Sequence, residues 1–203
     1  MLQREVPRLI LASGSASRRA LLEAAGLYFE TRIPDVDEAP VKAAALAGGA
    51  EAEDAALILA ERKAERIARD ELGALVVGAD QILVCEGVWF DKPPDIAAAR
   101  TQLESLRGRT HRLATAAVCM QDGQRVWHAV ASPRLTMRPF SADFLDSYLL
   151  AEGEHVLGSV GSYRLEGPGV HLFEQVTGEH AAILGLPLLA LLDFLRQQGV
   201  LLA

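Results

Sequence analysis

Asp80 is the residue whose setting most needs a chemical explanation, because it interrupts the apolar run Leu75 to Cys85 (LVVGADQILVC). The β-branched content of that run predicts a buried strand, and an ionised carboxylate inside one is costly unless something compensates it. A bound metal ion is one compensation, and backbone amides at a sheet rim are another; the pattern leaves both open. Upstream, Ser13-Gly14-Ser15-Ala16-Ser17 precedes a helix that begins with Arg18 and Arg19. Free backbone N–H groups, hydroxyls and guanidinium groups therefore meet in a way that suits a phosphate, although a Ser-capped helix with solvated arginines fits the same residues. The acidic loop Asp35, Asp37, Glu38 offers oxygen ligands of the kind Mg²⁺ takes alongside waters and substrate phosphates.

Of 20 basic residues only Lys42, Lys63 and Lys92 are lysines. Lys63 follows Leu59 by one helical repeat and precedes Ile67 by another, at the edge of an apolar stripe. It either points into the body of the protein or snorkels along its surface. Lys92 is held against Pro93 and Pro94 just beyond the Asp80 strand, with restricted backbone freedom. A turn lysine of that kind is either inert or a fixed cation.

The elements that must position these residues follow from periodicity and punctuation. Arg8 to Ala12 reads as a strand, Arg18 to Ala25 as a helix stopped by Gly26, and Tyr28 to Ile33 as a second strand. Pro34 and the acidic DVDE open a loop, and Glu53 to Leu72 is helical, with Leu57, Ala60, Ala64 and Ile67 on one face and Gly73 as the stop. After the Leu75 to Cys85 strand, Asp91 to Pro94 turn the chain and Ile96 to Leu106 forms a helix closed by Gly108. His111 to Gln121 and Gln124 to Met137 read as long paired strands around Asp122-Gly123. Ser141 caps a helix to Ala151, residues 158–169 form a Gly-rich loop, Val170 to Val176 a strand, and Pro187 to Gln198 a last helix before Gly199.

With 203 residues and 50% apolar content, the chain can bury one substantial core, so a single α/β domain over residues 1–203 is expected. No stretch approaches the roughly 20 apolar residues of a membrane span. MLQREVPRL has no signal-peptide core, which points to the cytoplasm and away from membrane partners. Cys85 and Cys119 lack metal-type spacing and read as reduced core residues. A net charge of −7 argues against stable nucleic-acid binding while leaving room for a small polyanion bound locally.

Taken in order, LASGSASRRALLEAAG, PDVDE, LAERKA, VVGADQ, DKP, GSYRLEG and LGLP make the sequence resemble the Maf family over residues 8–198. The resemblance implies a single elongated domain with a curved mixed β-sheet flanked by helices and a deep nucleotide cleft, an architecture also seen in inosine-triphosphatases. It further implies hydrolysis of a nucleoside triphosphate to the monophosphate plus pyrophosphate, dependence on Mg²⁺ or Mn²⁺, and a homodimer. By matching position, Asp80 is the catalytic carboxylate and proton acceptor, and Arg18, Glu38, Lys63 and Lys92 are other polar residues of the cleft. The mechanism expected from these residues puts the metal on Asp80 and Glu38, with Ser13, Ser15, Arg18, Lys63 and Lys92 binding the triphosphate.

Ser17, Gln81 and Glu166 match positions that separate substrate branches. Gln81 and Glu166 point to the 7-methyl-GTP branch, since the pyrimidine branch has Thr and Gln there; at Ser17 the 7-methyl branch tends to carry a large aromatic. Two departures stand out: Asp91 where glycine usually precedes Lys-Pro, and Gly158-Ser159-Val160-Gly161 where the family commonly has Lys or Cys before Ala-Gly. The SASRR start argues against a housecleaning enzyme of the unrelated inosine-triphosphatase kind. A non-catalytic nucleotide-binding regulator linked to septum formation is the competing expectation, sharing the pocket and differing in turnover.

Overall fold

Side-chain alternation along a few short strands decides what each face of this protein buries. The computed structural model describes residues 3, 4 and 6–202. Along the chain, β1 (Leu9–Ala12) leads to α1 (Ala16–Ala24), β2 (Glu30–Arg32), α2 (Ala39–Ala47) and α3 (Ala52–Ala68). The strand β3 (Leu75–Cys85), the short β4 (Val88–Phe90) and α4 (Ile96–Leu106) follow. Next come β5 (Thr110–Gln121), β6 (Gln124–Ala131), β7 (Arg134–Met137) and α5 (Ala142–Glu152). Two 3-10 segments, Gly153–Gly158 and Pro168–Leu172, precede β8 (Phe173–Thr177), α6 (His180–Ile183) and α7 (Leu188–Gln197). The strands make a mixed sheet in the order β2-β1-β3-β5-β7-β8, with β4 also on β3 and β6 also on β5, so the fold is α/β.

The chain divides into two compact units. The first comprises the described residues through Asp80, Thr115–Ala131 and the described residues from His180 on. Here β1 lies parallel to β2 and to β3, with Ala12 opposite Gly78. Because side chains alternate along a strand, Leu9, Leu11, Val77 and Ala79 share one face. That face packs in one cluster with Leu22 of α1 and Leu191 of α7. Val76, Gly78 and Asp80 take the other face, which α3 covers. A Cβ on Gly78 would collide with the Ala60 carbonyl oxygen and lie 2.7 Å from the Ala64 nitrogen, so only a glycine lets the helix backbone come this close. The inner side of α3 is correspondingly small, with Ala52, Ala55, Ala56, Ala60, Ala64 and Ala68 all buried.

The second unit comprises Gln81–Ala114 and Ser132–Glu179. Its part of β3 turns back into β4 through Glu86 and Gly87, whose φ values of 50° and 81° match the positive-φ hairpin turns that follow strand twist. Its part of β5 pairs antiparallel with β7, and β7 with β8.

Several sequence expectations need correction. The strand expected over Gln124 to Met137 is broken at Ser132-Pro133 into β6 and β7, since proline has no N–H for the ladder. The strand expected from Val170 begins only at Phe173, because Pro168 opens a 3-10 turn. The strand expected over Tyr28 to Ile33 shrinks to Glu30–Arg32, and α2 stands where only a loop was expected. Helix α2 buries no residue, so it carries no apolar stripe for periodicity to register.

Gly78→Ala should cost about 1–3 kcal/mol or more, because the clash is with backbone that cannot step aside. Urea denaturation checks this, and an unchanged midpoint would mean that α3 does not rest on β3 at this distance.

Candidate active site

The close approach of α3 to β3 sets Lys63 over Asp80. Asp80 follows Gly78 by two residues on the same strand face, and Lys63 sits beside Ala64, the residue that Gly78 touches. Asp80 is 4% exposed and Lys63 9%. The Lys63 ammonium donates to Asp80 Oδ1 and reaches Glu38 Oε1 at 2.6 Å. Glu38 stands at the start of α2, and one helical turn on Lys42 comes within 3.6 Å of its Oε2. Burial pushes the Glu38 carboxyl up, but its bond to Lys63 and the charges of Lys63 and Lys42 outweigh burial and hold it below the usual carboxylate range. Of the other acids in that loop, Asp37 accepts the Ala39 N–H at 3.2 Å and so starts the helix, and Asp35 is exposed.

Arg18 is built in from another direction. β1 ends at Ala12 beside Gly78, so the serine loop leaves the sheet at the level of Asp80, at the carboxyl ends of parallel strands, where α/β sheets gather ligand groups. Ser15 caps α1 by accepting the Arg18 N–H at 3.4 Å. Ser13 Oγ accepts the Ser15 N–H and the Arg18 guanidinium, each at 3.2 Å. The guanidinium Nε donates to the Gly185 carbonyl at 2.7 Å. Gly185 closes α6: its N–H bonds the Ala182 carbonyl and the Leu186 N–H the Ala181 carbonyl, the paired bonds of a Schellman ending. Its φ of 104° favours glycine, and a Cβ there would lie 3.1 Å from Arg18 Nε. Both partners of Arg18 are neutral acceptors. Burial lowers its pKa, the charges of Asp80 and Glu38 work the other way, and the guanidinium remains a cation.

These residues suit a divalent cation of the Mg²⁺ type. Asp80 Oδ2 is buried without a hydrogen-bond partner, so one carboxylate oxygen faces no donor. Asp80 and Glu38 converge on a single ammonium, which shows that the two carboxylates can share one positive charge. No group of three or more His, Cys, Asp or Glu residues fit to hold a metal occurs among the described residues. The protein would therefore supply at most this pair, in keeping with an ion that fills its shell from water and substrate phosphate.

A family model described as Maf-like protein matches residues 8–198. The chain belongs to the Maf-like protein family. Among its relatives are a protein of Granulibacter bethesdensis named nucleoside triphosphate pyrophosphatase, 54% identical across 96% of this chain and 98% of the relative. A protein of the same name from Paramagnetospirillum magneticum is 53% identical across 95% and 99%. One named 7-methyl-GTP pyrophosphatase, from Rhizobium etli, is 45% identical across 96% and 98%.

In this Maf-like protein the first unit brings together Ser13, Ser15, Arg18, Glu38, Lys63 and Asp80, with Ser17 half-buried on α1 just before Arg18. Lys92, Gln81 and Glu166 belong to the second unit. Lys92 is exposed between β4 and α4, Gln81 is half-buried as the next residue of β3, and Glu166 is exposed on a turn close enough to Arg164 for its charge to be felt. The departure at Asp91 carries no backbone strain: among the described residues the non-glycine positions with positive φ are Glu86, Asp122 and Ser162. Two residues escaped the sequence reading. Gly185 had a signal in LGLP but no role, and Lys42 had one in its one-turn spacing from Glu38.

Lys63→Ala should strip the shared cation from two carboxylates and cost about 3 kcal/mol at pH 7. Because the Glu38 carboxyl titrates lower when folded, its contribution is complete above the ordinary value of 4.5 and is lost as pH falls through the lowered folded value. Without Lys63 that loss on acidification disappears, so the gap between variant and wild type should narrow from pH 7 to pH 4. Denaturation midpoints at the two pH values test this, and a constant gap would detach Glu38 from Lys63.

Proposed function

We propose that this protein hydrolyses a nucleoside triphosphate between the α and β phosphates, releasing the monophosphate and pyrophosphate. The observation that carries the proposal is the buried Asp80 carboxylate, with one oxygen on Lys63 and the other without a partner, close enough to Arg18 for its charge to be felt. The relatives' name, nucleoside triphosphate pyrophosphatase, supports the same reading. In the reaction a water oxygen bonds to phosphorus, the bridging P–O bond breaks, the water proton passes to Asp80, and the electron pair leaves with pyrophosphate. In the first unit Arg18 and Lys63 balance the triphosphate charge, with the Ser13 and Ser15 hydroxyls as hydrogen-bonding partners; Lys92 is a phosphate cation by its matching position in the family. Asp80 and Glu38 would hold Mg²⁺ or Mn²⁺, whose contribution when bound is to neutralise phosphate oxygens.

Asp80→Asn keeps shape and removes charge. It should preserve the fold and nucleotide binding while lowering kcat about 10²- to 10⁴-fold. Pyrophosphate release across a panel of nucleotides with Mg²⁺ or Mn²⁺ measures it. Near wild-type turnover would move the chemistry to another carboxylate, and binding without turnover in the wild type would favour a regulator instead.

The substrate base is a purine of guanine type, 7-methylguanine included. A carboxylate at Glu166 offers only acceptors, which suit the N1–H and N2–H donors of guanine, whereas uracil and thymine would set a carbonyl oxygen against it. A 7-methylated ring carries positive charge and would gain further, although Ser17 provides no aromatic face to stack on it. A relative named 7-methyl-GTP pyrophosphatase supports this preference. Comparing kcat/KM for 7-methyl-GTP, GTP, UTP and dTTP in wild type and in Gln81→Thr with Glu166→Gln should show purine preference and its loss. A wild type that prefers UTP or dTTP would overturn the base assignment.

A further inference from the structure

In the second unit, the segment with Lys92 and the turn with Glu166 are tied to one side chain. Gln102 lies on α4, whose N-terminus is capped by Asp95 accepting the Ala98 N–H at 2.8 Å. Its amide nitrogen donates to the main-chain carbonyl of Asp91, next to Lys92, at 2.7 Å. Its amide oxygen accepts from Ser162 Oγ at 3.0 Å. Gln102 is only half-buried, yet both halves of its amide are engaged.

Ser162 is an unusual place to anchor. It is fully buried, it holds a φ of 61° that side chains rarely adopt, and its carbonyl accepts the Tyr148 hydroxyl at 3.1 Å. Strain of this kind persists only where the surroundings over-determine it. Beyond Ser162 the chain is held twice more. The Tyr163 hydroxyl meets His111 Nε2 at 2.8 Å, and Arg164 pairs with the buried Glu152 through Nε at 2.8 Å and Nη2 at 3.3 Å. Residue 166 therefore leaves from three consecutive fixed positions.

We propose that Gln102 is a positioning residue that sets Lys92 and the Glu166 turn relative to each other, so that one amide fixes the spacing between a phosphate cation and a base-reading carboxylate. The inference rests on the roles of Lys92 and Glu166 given above. Because the tie is to the main chain of Asp91, it works whatever side chain stands at that position, which is how this protein accommodates an aspartate there. The two bonds are chemically separable. Gln102→Glu keeps an acceptor for Ser162 and removes the donor to Asp91, whereas Ser162→Ala removes only the bond to the turn.

The test is steady-state kinetics on 7-methyl-GTP, GTP and UTP, with thermal melting of each variant as the measure of folding. Gln102→Leu should lower kcat/KM about 10- to 100-fold, the effect of a small misplacement, and flatten the ranking of bases, with melting little changed. Gln102→Glu should lower kcat/KM for all three nucleotides alike and keep the ranking. Ser162→Ala should compress the ranking while sparing the best substrate less than tenfold. In a double-mutant cycle Gln102→Leu should cost less on a Lys92→Ala background than alone. If Lys92→Ala and Glu166→Gln change the kinetics but Gln102→Leu does not, or lowers only the melting temperature, the positioning role is overturned and the site assignment stands. If Lys92→Ala and Glu166→Gln also leave the kinetics unchanged, both fall.

Discussion

A carboxylate buried in a sheet has to be compensated, and in this protein a lysine ammonium does so, which couples packing to charge. Lys63 can meet Asp80 only if α3 lies against the backbone of β3, and α3 can lie there only because residue 78 has no side chain. The alanines along the inner side of α3 serve the same closeness. An ammonium and a carboxylate taken out of water each lose hydration worth several kcal/mol, which good geometry and further hydrogen bonds must return. Glu38 adds a second acceptor to the same ammonium. A packing fault at Gly78 and a charge fault at Asp80 would thus be two views of one failure.

The cations of the first unit are held in different ways, and the difference bears on what they can do. Lys63 is engaged directly by two carboxylates, Asp80 and Glu38. Arg18 is buried and oriented by a serine hydroxyl and a glycine carbonyl, while the charges of Asp80 and Glu38 act on it without a hydrogen bond. A guanidinium's planar fork suits phosphate oxygens. Two backbone devices support that arrangement, a serine cap at the start of α1 and a Schellman ending after α6.

Much of this was legible in the sequence where local chemistry governs. The strand Leu75–Cys85 and the helix Ile96–Leu106 follow their apolar patterns and punctuation, and the Asp122-Gly123 turn joins β5 to β6 as its residue types require. Asp80 and Lys63 were conspicuous because each sits where its charge is out of place. What stayed hidden depends on partners distant in sequence. Nothing around residue 185 shows that its carbonyl serves Arg18, 167 residues away. Gln102 looks like an ordinary helix-surface amide until Asp91 and Ser162 are found at its two ends. Helix α2 was missed for a different reason, since a helix that buries nothing leaves no periodic trace.

The second unit meets its positional demand with other means. The first unit places charges by packing backbone against backbone, whereas the second fixes a turn through neutral hydrogen bonds and an ion pair between buried Glu152 and half-buried Arg164. Such a pair adds little net stability, but breaking it leaves the buried Glu152 charge uncompensated, so it penalises alternative loop conformations more than it favours the native one. Gly169 strengthens that selectivity, since a Cβ there would lie 2.8 Å from the Arg164 nitrogen. The anchors at Ser162, Tyr163 and Arg164 are buried or paired, and residue 166 beyond them is exposed. The order of this turn therefore comes from residues 162 to 164, each held by a partner elsewhere in the unit.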